Sequence, residues 1–163
     1  VISDAHKGQV NAIQKTFTDS VWQRCQVHFM RNVMTKLPKK NTQAVRTDIK
    51  NLFKINDIDA ARIAKENIIK EYEASYPNMC TCLDDGFEES FQYTASEKTR
   101  YNRLKSTNLL ERLNEEIRRR EKVIRIFPNV ESATRLIGAI LKDMDEEWVT
   151  STRRYIEYTH TNE

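Results

Sequence analysis

Residues 1–8, Val-Ile-Ser-Asp-Ala-His-Lys-Gly, decide the fold because they pass from a strand pattern to a helix pattern within one short turn. Two β-branched residues followed by Ser3 and Asp4 are typical of the end of a buried strand. Beyond Gly8, apolar residues at 10, 13 and 17 have helical spacing. We therefore expect a strand that carries Asp4 to its end, where α/β sheets present catalytic and metal-binding groups.

The rest of the chain predicts a predominantly α protein. A second short strand is expected at 21–24, and residues 78–105 are less periodic, which predicts short segments and turns. A capping triplet at 106–108 starts one late helix, and Asn129 caps the last. The other expected helices have apolar stripes at 27–37, 45–53 and 58–72, the last of these capped by Asn56 or Asp57. In the last helix, the predicted core-facing residues are Leu136, Ile137, Ile140, Leu141, Met144 and Trp148.

Length and composition limit the class of protein. The 163 residues are 39% hydrophobic with only 3 Gly and 3 Pro, as expected of one helix-rich, water-soluble domain. No apolar run approaches the ~20 residues of a membrane span, and the start does not resemble a signal peptide. The odd set Cys25, Cys80 and Cys82 does not suit a disulfide framework. We expect a cytoplasmic protein with no membrane partner.

Charge is unevenly distributed along the chain. Residues 22–50 hold seven basic and one acidic side chain, 51–97 hold four and ten, and 98–125 hold ten and four. Two basic blocks around an acidic stretch are typical of nucleic-acid binding through distant phosphate contacts, although solvated helix faces remain an alternative. The candidate DNA-binding residues are Lys39, Lys40, Arg112, Arg118, Arg119, Arg120 and Lys122.

Two acidic residues are candidates for a catalytic site, and each has a structural alternative. Asp4 could instead cap the helix that starts near Ala5. Glu111 stands three residues after Asn108, which is the spacing of a capping box, and the helix dipole favours a carboxylate in a first turn. Local spacing leaves both interpretations open.

Cys25-Gln-Val-His28 is a C-x-x-H pair, which is half of a zinc site. Tetrahedral zinc needs four ligands, and an isolated Cys is more often a small buried hydrophobic residue. The remaining candidate ligands, Cys80, Cys82, His6 and His160, have no recognised finger spacing. We therefore do not expect zinc.

Four blocks, in this order, resemble the Mutator-type transposases of bacterial insertion sequences along nearly the whole chain. Residues 1–8 are similar to the block around the family's second catalytic aspartate. Residues 22–32, WQRCQVHFMRN, are similar to its C-x-x-H block, and residues 106–120, STNLLERLNEEIRRR, to the block with the catalytic glutamate. Ile126 to Asn129 and Glu146-Glu147-Trp148 resemble the family's tail.

The resemblance implies a ribonuclease H-like α/β catalytic fold with a helical insertion between the second Asp and the Glu. Its segments would be a ribonuclease H-like part at 1–37, the insertion at 38–105, and the catalytic helix with closing helices at 106–163. Asp4 and Glu111 would be the second and third acids of an Asp-Asp-Glu set, with Glu115 and Glu116 on the same predicted helix as the alternatives for the third acid. Cys25 and His28 would organise the site. Arg125 stands where a Gly is expected, which leaves the local turn open.

The family's first Asp would lie upstream of Val1, so we expect residues 1–163 to be the C-terminal part of a longer enzyme, inactive alone. The implied activity is cutting and joining of transposon ends by phosphoryl transfer with two Mg²⁺ or Mn²⁺ ions. Transposon-end and target DNA would be the partners, bound by a homo-oligomer at the bacterial nucleoid. The competing hypothesis is a non-catalytic helical DNA-binding module or a decayed transposase remnant. A third class, a zinc-stabilised regulator, would need stoichiometric zinc and would lose its fold on Cys25→Ser.

Overall fold

The structure is a computed structural model that describes residues 1–95 and 104–151, and it confirms the predominantly α prediction. Short strands appear only near the start of this described part. In chain order the elements are β1 (Ile2–Ser3), α1 (Lys7–Thr16), β2 (Gln23–Arg24), α2 (Gln26–Thr35), α3 (Gln43–Leu52), α4 (Ile58–Tyr72), α5 (Pro77–Ser90), a 3-10 turn (Gln92–Ala95), α6 (Asn108–Ile124) and α7 (Val130–Thr150).

The expected strand, turn and helix at the start of the chain are confirmed. β1 and β2 pair in parallel, with Ile2 opposite Gln23 and Ser3 opposite Arg24, and α1 forms the connection between them. Parallel strands need such a crossover because a tight hairpin can join only antiparallel ones. Trp22 Nε1 donates a hydrogen bond to Ser3 Oγ at 2.9 Å, which further ties the second strand to the first.

An aromatic core holds the helices that follow. Phe29 of α2 meets Phe53 edge-on with ring centroids 5.7 Å apart, and Phe87 of α5 stacks on Phe91 at 4.7 Å. All four rings are buried, and each contributes roughly 1.5–3 kcal/mol on removal from water. One face of α2 therefore packs against α3 and α5.

Two helix caps predicted from the sequence are confirmed. Asp57 Oδ1 accepts a hydrogen bond from the Ala60 backbone N at 2.8 Å, and Asn129 Oδ1 accepts one from the Ser132 N at 2.8 Å. Each satisfies a backbone donor that has no partner within the helix.

The prediction of short segments and turns at 78–105 is wrong for 78–90, because Pro77–Ser90 is one continuous helix. It is confirmed at Gln92–Ala95, which is a short 3-10 turn, and residues 96–103 lie outside the described part of the chain. Pro77 occupies the first turn of the continuous helix, where a missing backbone N–H costs nothing. Met79, Leu83 and Phe87 form its buried stripe. Polar residues and Gly86 separate these apolar residues in the sequence, so the helical periodicity is weak.

The chain divides into two compact units, instead of the single domain that its length suggests. Among the described residues, the first unit comprises residues 1–95 and 104–107, and the second comprises α6 and α7. No described helix is both long enough and apolar enough to cross a membrane.

The predicted core face of α7 is only partly buried. Ile140 is 1% exposed, Leu136 and Met144 are intermediate, and Ile137, Leu141 and Trp148 are 37%, 42% and 40% exposed. The second unit offers two helices among the described residues, and one helix can cover only one stripe of another. The prediction of a fully core-facing stripe is therefore wrong for Ile137, Leu141 and Trp148.

The turn after α6 explains the expectation of a glycine at 125. Arg125 has φ 62°, in the left-handed region, and its backbone N donates to Glu121 O at 2.9 Å. Glycine is the usual residue at this position after a helix because it has no Cβ to strain the backbone. Arg125 therefore occupies a glycine-type turn.

Candidate functional site

The parallel register of β1 and β2 places Asp4 beside Cys25. Ser3 lies opposite Arg24, so the next residue of each strand leaves the sheet at the same edge. The Cys25 backbone N donates to Ser3 O at 2.9 Å, which fixes this arrangement. The carboxyl end of a parallel pair is where α/β folds place functional side chains.

One turn of α2 brings a third side chain to this edge. Cys25 is the N-cap residue of α2, and His28 lies three residues further on, with its Nδ1 2.6 Å from Asp4 Oδ1. The ligand atoms of Asp4, Cys25 and His28 all lie within 4.8 Å of one another. We call these residues the Asp-Cys-His cluster; Cys25 is buried, His28 is half-buried and Asp4 is exposed.

The helix-cap alternative for Asp4 is wrong. α1 begins at Lys7, its N-cap residue is His6, and no side chain caps it. The Asp4 carboxylate instead faces His28. It is therefore available for chemistry at the end of β1.

A cavity of about 250 Å³ adjoins the Asp-Cys-His cluster. Its presence means that a small ligand or a hydrated cation can reach the exposed carboxylate. The lining residues are Asp4, Ala5, His6, Arg24, Cys25, His28, Phe29 and Asn32.

Arg24 is a lining residue that the sequence did not single out. Its guanidinium carbon lies 4.6 Å from the centre of the Phe29 ring, and its Nη1 is 3.5 Å from Glu89 Oε2. Gly86 makes room for this arrangement, since a Cβ there would lie 2.5 Å from Phe29 Cε2. The only sequence signal was the position of Arg24 before Cys25, because Gly86 and Glu89 are more than sixty residues away.

Two buried glutamines hold the edge in place. Gln23 Oε1 accepts from the Tyr93 backbone N at 2.7 Å, and its Nε2 donates to Leu104 O at 2.6 Å. Gln26 Nε2 donates to Ser90 O at 2.9 Å. These bonds satisfy polar groups that would be costly to bury alone, so they fix β2 and the start of α2 against the end of α5.

The other acidic candidate lies in the second unit. Glu111 is in the first turn of α6, which begins at Asn108, and its side chain is exposed. This position near a helix N-terminus is favourable for a carboxylate.

The arginines of α6 fall into two kinds. Arg119 pairs with both Glu116 oxygens, at 2.6 and 3.1 Å, and this hydrogen-bonded charge lowers the pKa of Glu116. Arg120 contacts the same carboxylate at 3.3 Å. Arg112 and Arg118 are exposed and make no ion pair with any residue the structure describes.

The lysine candidates are exposed as well. Lys122 lies near the end of α6, and Lys39 and Lys40 lie in the loop between α2 and α3. Their ammonium groups can therefore meet phosphates without the loss of an internal partner among the described residues. His160, a candidate zinc ligand in the sequence, lies outside the described residues.

The family model for "Transposase, Mutator family" matches residues 1–151. The chain belongs to this family, which confirms the resemblance seen in its four sequence blocks.

Named relatives agree with this assignment. The transposase of insertion sequence IS256 in transposon Tn4001 from Staphylococcus aureus is 58% identical over 160 residues, covering 97% of this chain and 41% of the relative. The ISRM5 transposase of Rhizobium meliloti is 37% identical over 153 residues (94% and 38%). The IS1081 transposase of Mycobacterium tuberculosis is 35% identical over 156 residues (96% and 37%). The chain thus spans about two fifths of the length of these relatives.

Proposed function

We propose that this chain contributes to a DNA transposase of the Asp-Asp-Glu type, which cuts and joins transposon ends by metal-dependent phosphoryl transfer. The observation that carries the proposal is Asp4, an exposed carboxylate at the carboxyl end of a parallel strand pair, beside a cavity and oriented by His28. Asp4 is the second acid in this proposal and Glu111 is the third. Relatives named as transposases of insertion sequences support it.

Asp4 suits a magnesium ion because its carboxylate is a hard oxygen ligand that opens toward solvent. His28 contacts Oδ1, so the second carboxylate oxygen stays available to a cation. When bound, two Mg²⁺ ions activate the attacking oxygen and stabilise the leaving oxygen of an in-line displacement. Within this chain His28 orients Asp4, and Cys25 anchors the start of the helix that carries His28.

The exposed cations are proposed to hold the DNA backbone. Arg112, Arg118 and Lys122 on α6, with Lys39 and Lys40 in the first unit, are accessible to phosphates. Such contacts position DNA without reading its sequence, and their contribution falls steeply with salt.

The short parallel pair and the helices around it are proposed to be part of a ribonuclease H-like fold. In this proposal the helical insertion occupies 38–105, between a segment at 1–37 and the closing segment at 106–163. The parallel register at the strand that carries Asp4 supports this interpretation, because α/β folds place functional side chains at the carboxyl ends of neighbouring parallel strands.

The test is a chimera in which this chain replaces the matched segment of the IS256 transposase, which is 58% identical over 160 residues. Excision of a marked element is measured in cells for Asp4→Asn and Glu111→Gln. Asp59→Asn and Glu115→Gln are matched controls, since both are exposed helix carboxylates. We expect excision to be abolished by the first pair and kept by the second.

Excision at the parent rate in either Asp4→Asn or Glu111→Gln would contradict the assignment of that residue. DNA binding and cleavage, measured with chelator and with added metal, distinguish an enzyme from a DNA-binding module. A purified chimera that holds DNA but cleaves it only with added metal supports the enzyme, whereas binding without any metal-dependent cleavage indicates a helical DNA-binding module.

A further inference from the structure

The Asp-Cys-His cluster offers a donor set that differs from a magnesium site. It combines a sulfur, an imidazole nitrogen and a carboxylate oxygen within 4.8 Å of one another. Mg²⁺ prefers oxygen ligands, whereas thiolate and imidazole together favour Zn²⁺ and similar borderline-soft cations. We propose that Asp4, Cys25 and His28 bind one such divalent cation, Zn²⁺, with a fourth coordination position open to the adjoining cavity.

The distances are compatible with a tetrahedral site after a small movement. Zinc bonds of about 2.0–2.3 Å keep ligand atoms about 3.3–3.7 Å apart. Asp4 Oδ1 and His28 Nδ1 are 2.6 Å apart, and no pair in the cluster exceeds 4.8 Å. Asp4 is exposed and can turn by the required ångström, which would replace its direct contact with His28 Nδ1 by two metal bonds.

The backbone holds Cys25 in advance, and His28 lies in the first turn of the helix that Cys25 caps. The Cys25 N bonds to Ser3 O, and its carbonyl accepts from the Phe29 N, each at 2.9 Å. Its Sγ has a long contact of 3.6 Å with Thr107 Oγ1, which a stronger ligand bond would displace. A preorganised donor set loses little entropy when the cation binds.

The third ligand could not be found by counting Cys and His spacings. Asp4 lies 21 residues before Cys25, and only the parallel register brings the two together. The other cysteines lie outside the cluster. Cys80 is packed in the core, and Cys82 Sγ accepts from Asn32 Nδ2 at 3.6 Å. The proposed site therefore depends on the fold rather than on a finger-type motif.

Zinc at this position would take Asp4 away from Mg²⁺. A thiophilic cation would then compete with the metal that the proposed transposase chemistry needs. This consequence rests on the proposed function, but the binding itself does not.

The experiment uses the purified 163-residue chain and Co²⁺, a coloured substitute for Zn²⁺. We expect one equivalent of Co²⁺ to give a thiolate-to-metal absorption band, which Zn²⁺ then removes and excess Mg²⁺ does not. Cys25→Ser should abolish the band and weaken binding by at least about 100-fold, the upper end for loss of an outer-shell partner. The matched variant Cys82→Ser should keep the absorption band and the affinity for Co²⁺.

A second pair of variants covers the case in which Cys25→Ser does not fold, as judged by circular dichroism. Asp4→Asn should weaken Co²⁺ binding by at least about 10-fold, whereas Asp59→Asn should not change it. Both side chains are exposed, so neither change disturbs the core.

The inference is overturned by absence of the band in the parent chain, by a band that survives in Cys25→Ser, or by equal affinity of Asp4→Asn and Asp59→Asn. Loss of excision in the Asp4→Asn chimera without Co²⁺ binding by the parent chain would overturn this inference alone. The proposed function would then stand.

Discussion

Gly86 of α5 lies against Arg24 and Phe29, two residues that line the cavity of the candidate site. A Cβ at this position would lie 2.5 Å from Phe29 Cε2 and 2.8 Å from Cζ, and it would also collide with the Arg24 guanidinium. Carbon atoms prefer separations of about 3.5–4.0 Å. Phe29 is 1% exposed and its ring meets Phe53 edge-on, so a shift of the ring would disturb this aromatic contact. Gly86→Ala should therefore overpack the core.

Two opposing effects set the change in the free energy of unfolding that Gly86→Ala causes. Alanine is favoured over glycine in a helix interior by about 1 kcal/mol, and Gly86 has no positive φ that would penalise it. Inserting a methyl group into a packed core costs about 1–3 kcal/mol, and a gap that is 1 Å too small places this site at the upper end. The expected net loss is about 1–2 kcal/mol. For a unit of this size that lowers the Tm by roughly 5–10 °C.

Thermal unfolding followed by circular dichroism measures this difference. The matched control is Gly138→Ala in α7, because a Cβ there meets nothing within 4 Å. It isolates the helix-propensity gain and should stabilise by up to about 1 kcal/mol. If Gly86→Ala raises the Tm as much as Gly138→Ala does, the close packing of Gly86 against Phe29 is refuted.

Three further changes have defined outcomes. Arg125→Gly should stabilise the chain by about 1 kcal/mol, measured in urea, because it removes the cost of a left-handed backbone at φ 62°. Glu88 pairs with Arg62 at 2.8 and 2.9 Å, which lowers the Glu88 pKa from 4.5. The stabilisation by this ion pair is present above pH 4.5 and is lost as the pH falls through the pKa of Glu88 in the folded protein. In Glu88→Gln, the Tm should therefore fall less steeply with decreasing pH. Arg118→Ala should reduce the slope of log affinity against log salt for duplex DNA by about 1.

Each of these has a control. Asn41→Gly also places a glycine at a positive φ, here 59°, but Asn tolerates this region better than Arg does. A gain in stability equal to that of Arg125→Gly would therefore contradict the strain argument. An unchanged acid limb in Glu88→Gln would show that the α4–α5 ion pair does not stabilise the fold. Arg119→Ala should alter the salt slope less than Arg118→Ala, since Arg119 is held by Glu116. Equal slopes would refute the division of the α6 arginines.

Local features could be predicted from the sequence because neighbouring residues determine them. The strand, turn and helix around Asp4 and the caps Asp57 and Asn129 all depend on contacts within a few residues. The α5 helix was missed because its glycine serves a distant contact with Phe29 rather than a local turn. The exposure of Trp148 was missed because an amphipathic pattern shows which face is apolar, not what covers it.

The candidate site was predictable in its residues but not in its geometry. The sequence blocks predict Asp4, Cys25 and His28 as site residues, but no sequence pattern predicts the 2.6 Å contact between Asp4 and His28. That contact depends on a parallel register between segments about twenty residues apart. Arg24 depends on an even more distant partner, Glu89.

Metal rescue at the third acid tests the proposed chemistry most directly. In the purified IS256 chimera, Glu111→Cys replaces the carboxylate oxygen of the proposed metal ligand with sulfur, which binds Mg²⁺ poorly but accepts softer cations. We expect cleavage of a labelled transposon end to be lost in Mg²⁺ and to reappear in Mn²⁺, while Glu115→Cys cleaves in both. Parent-rate cleavage by Glu111→Cys in Mg²⁺ would contradict a metal-binding role for Glu111, and so would failure of Mn²⁺ to restore any cleavage.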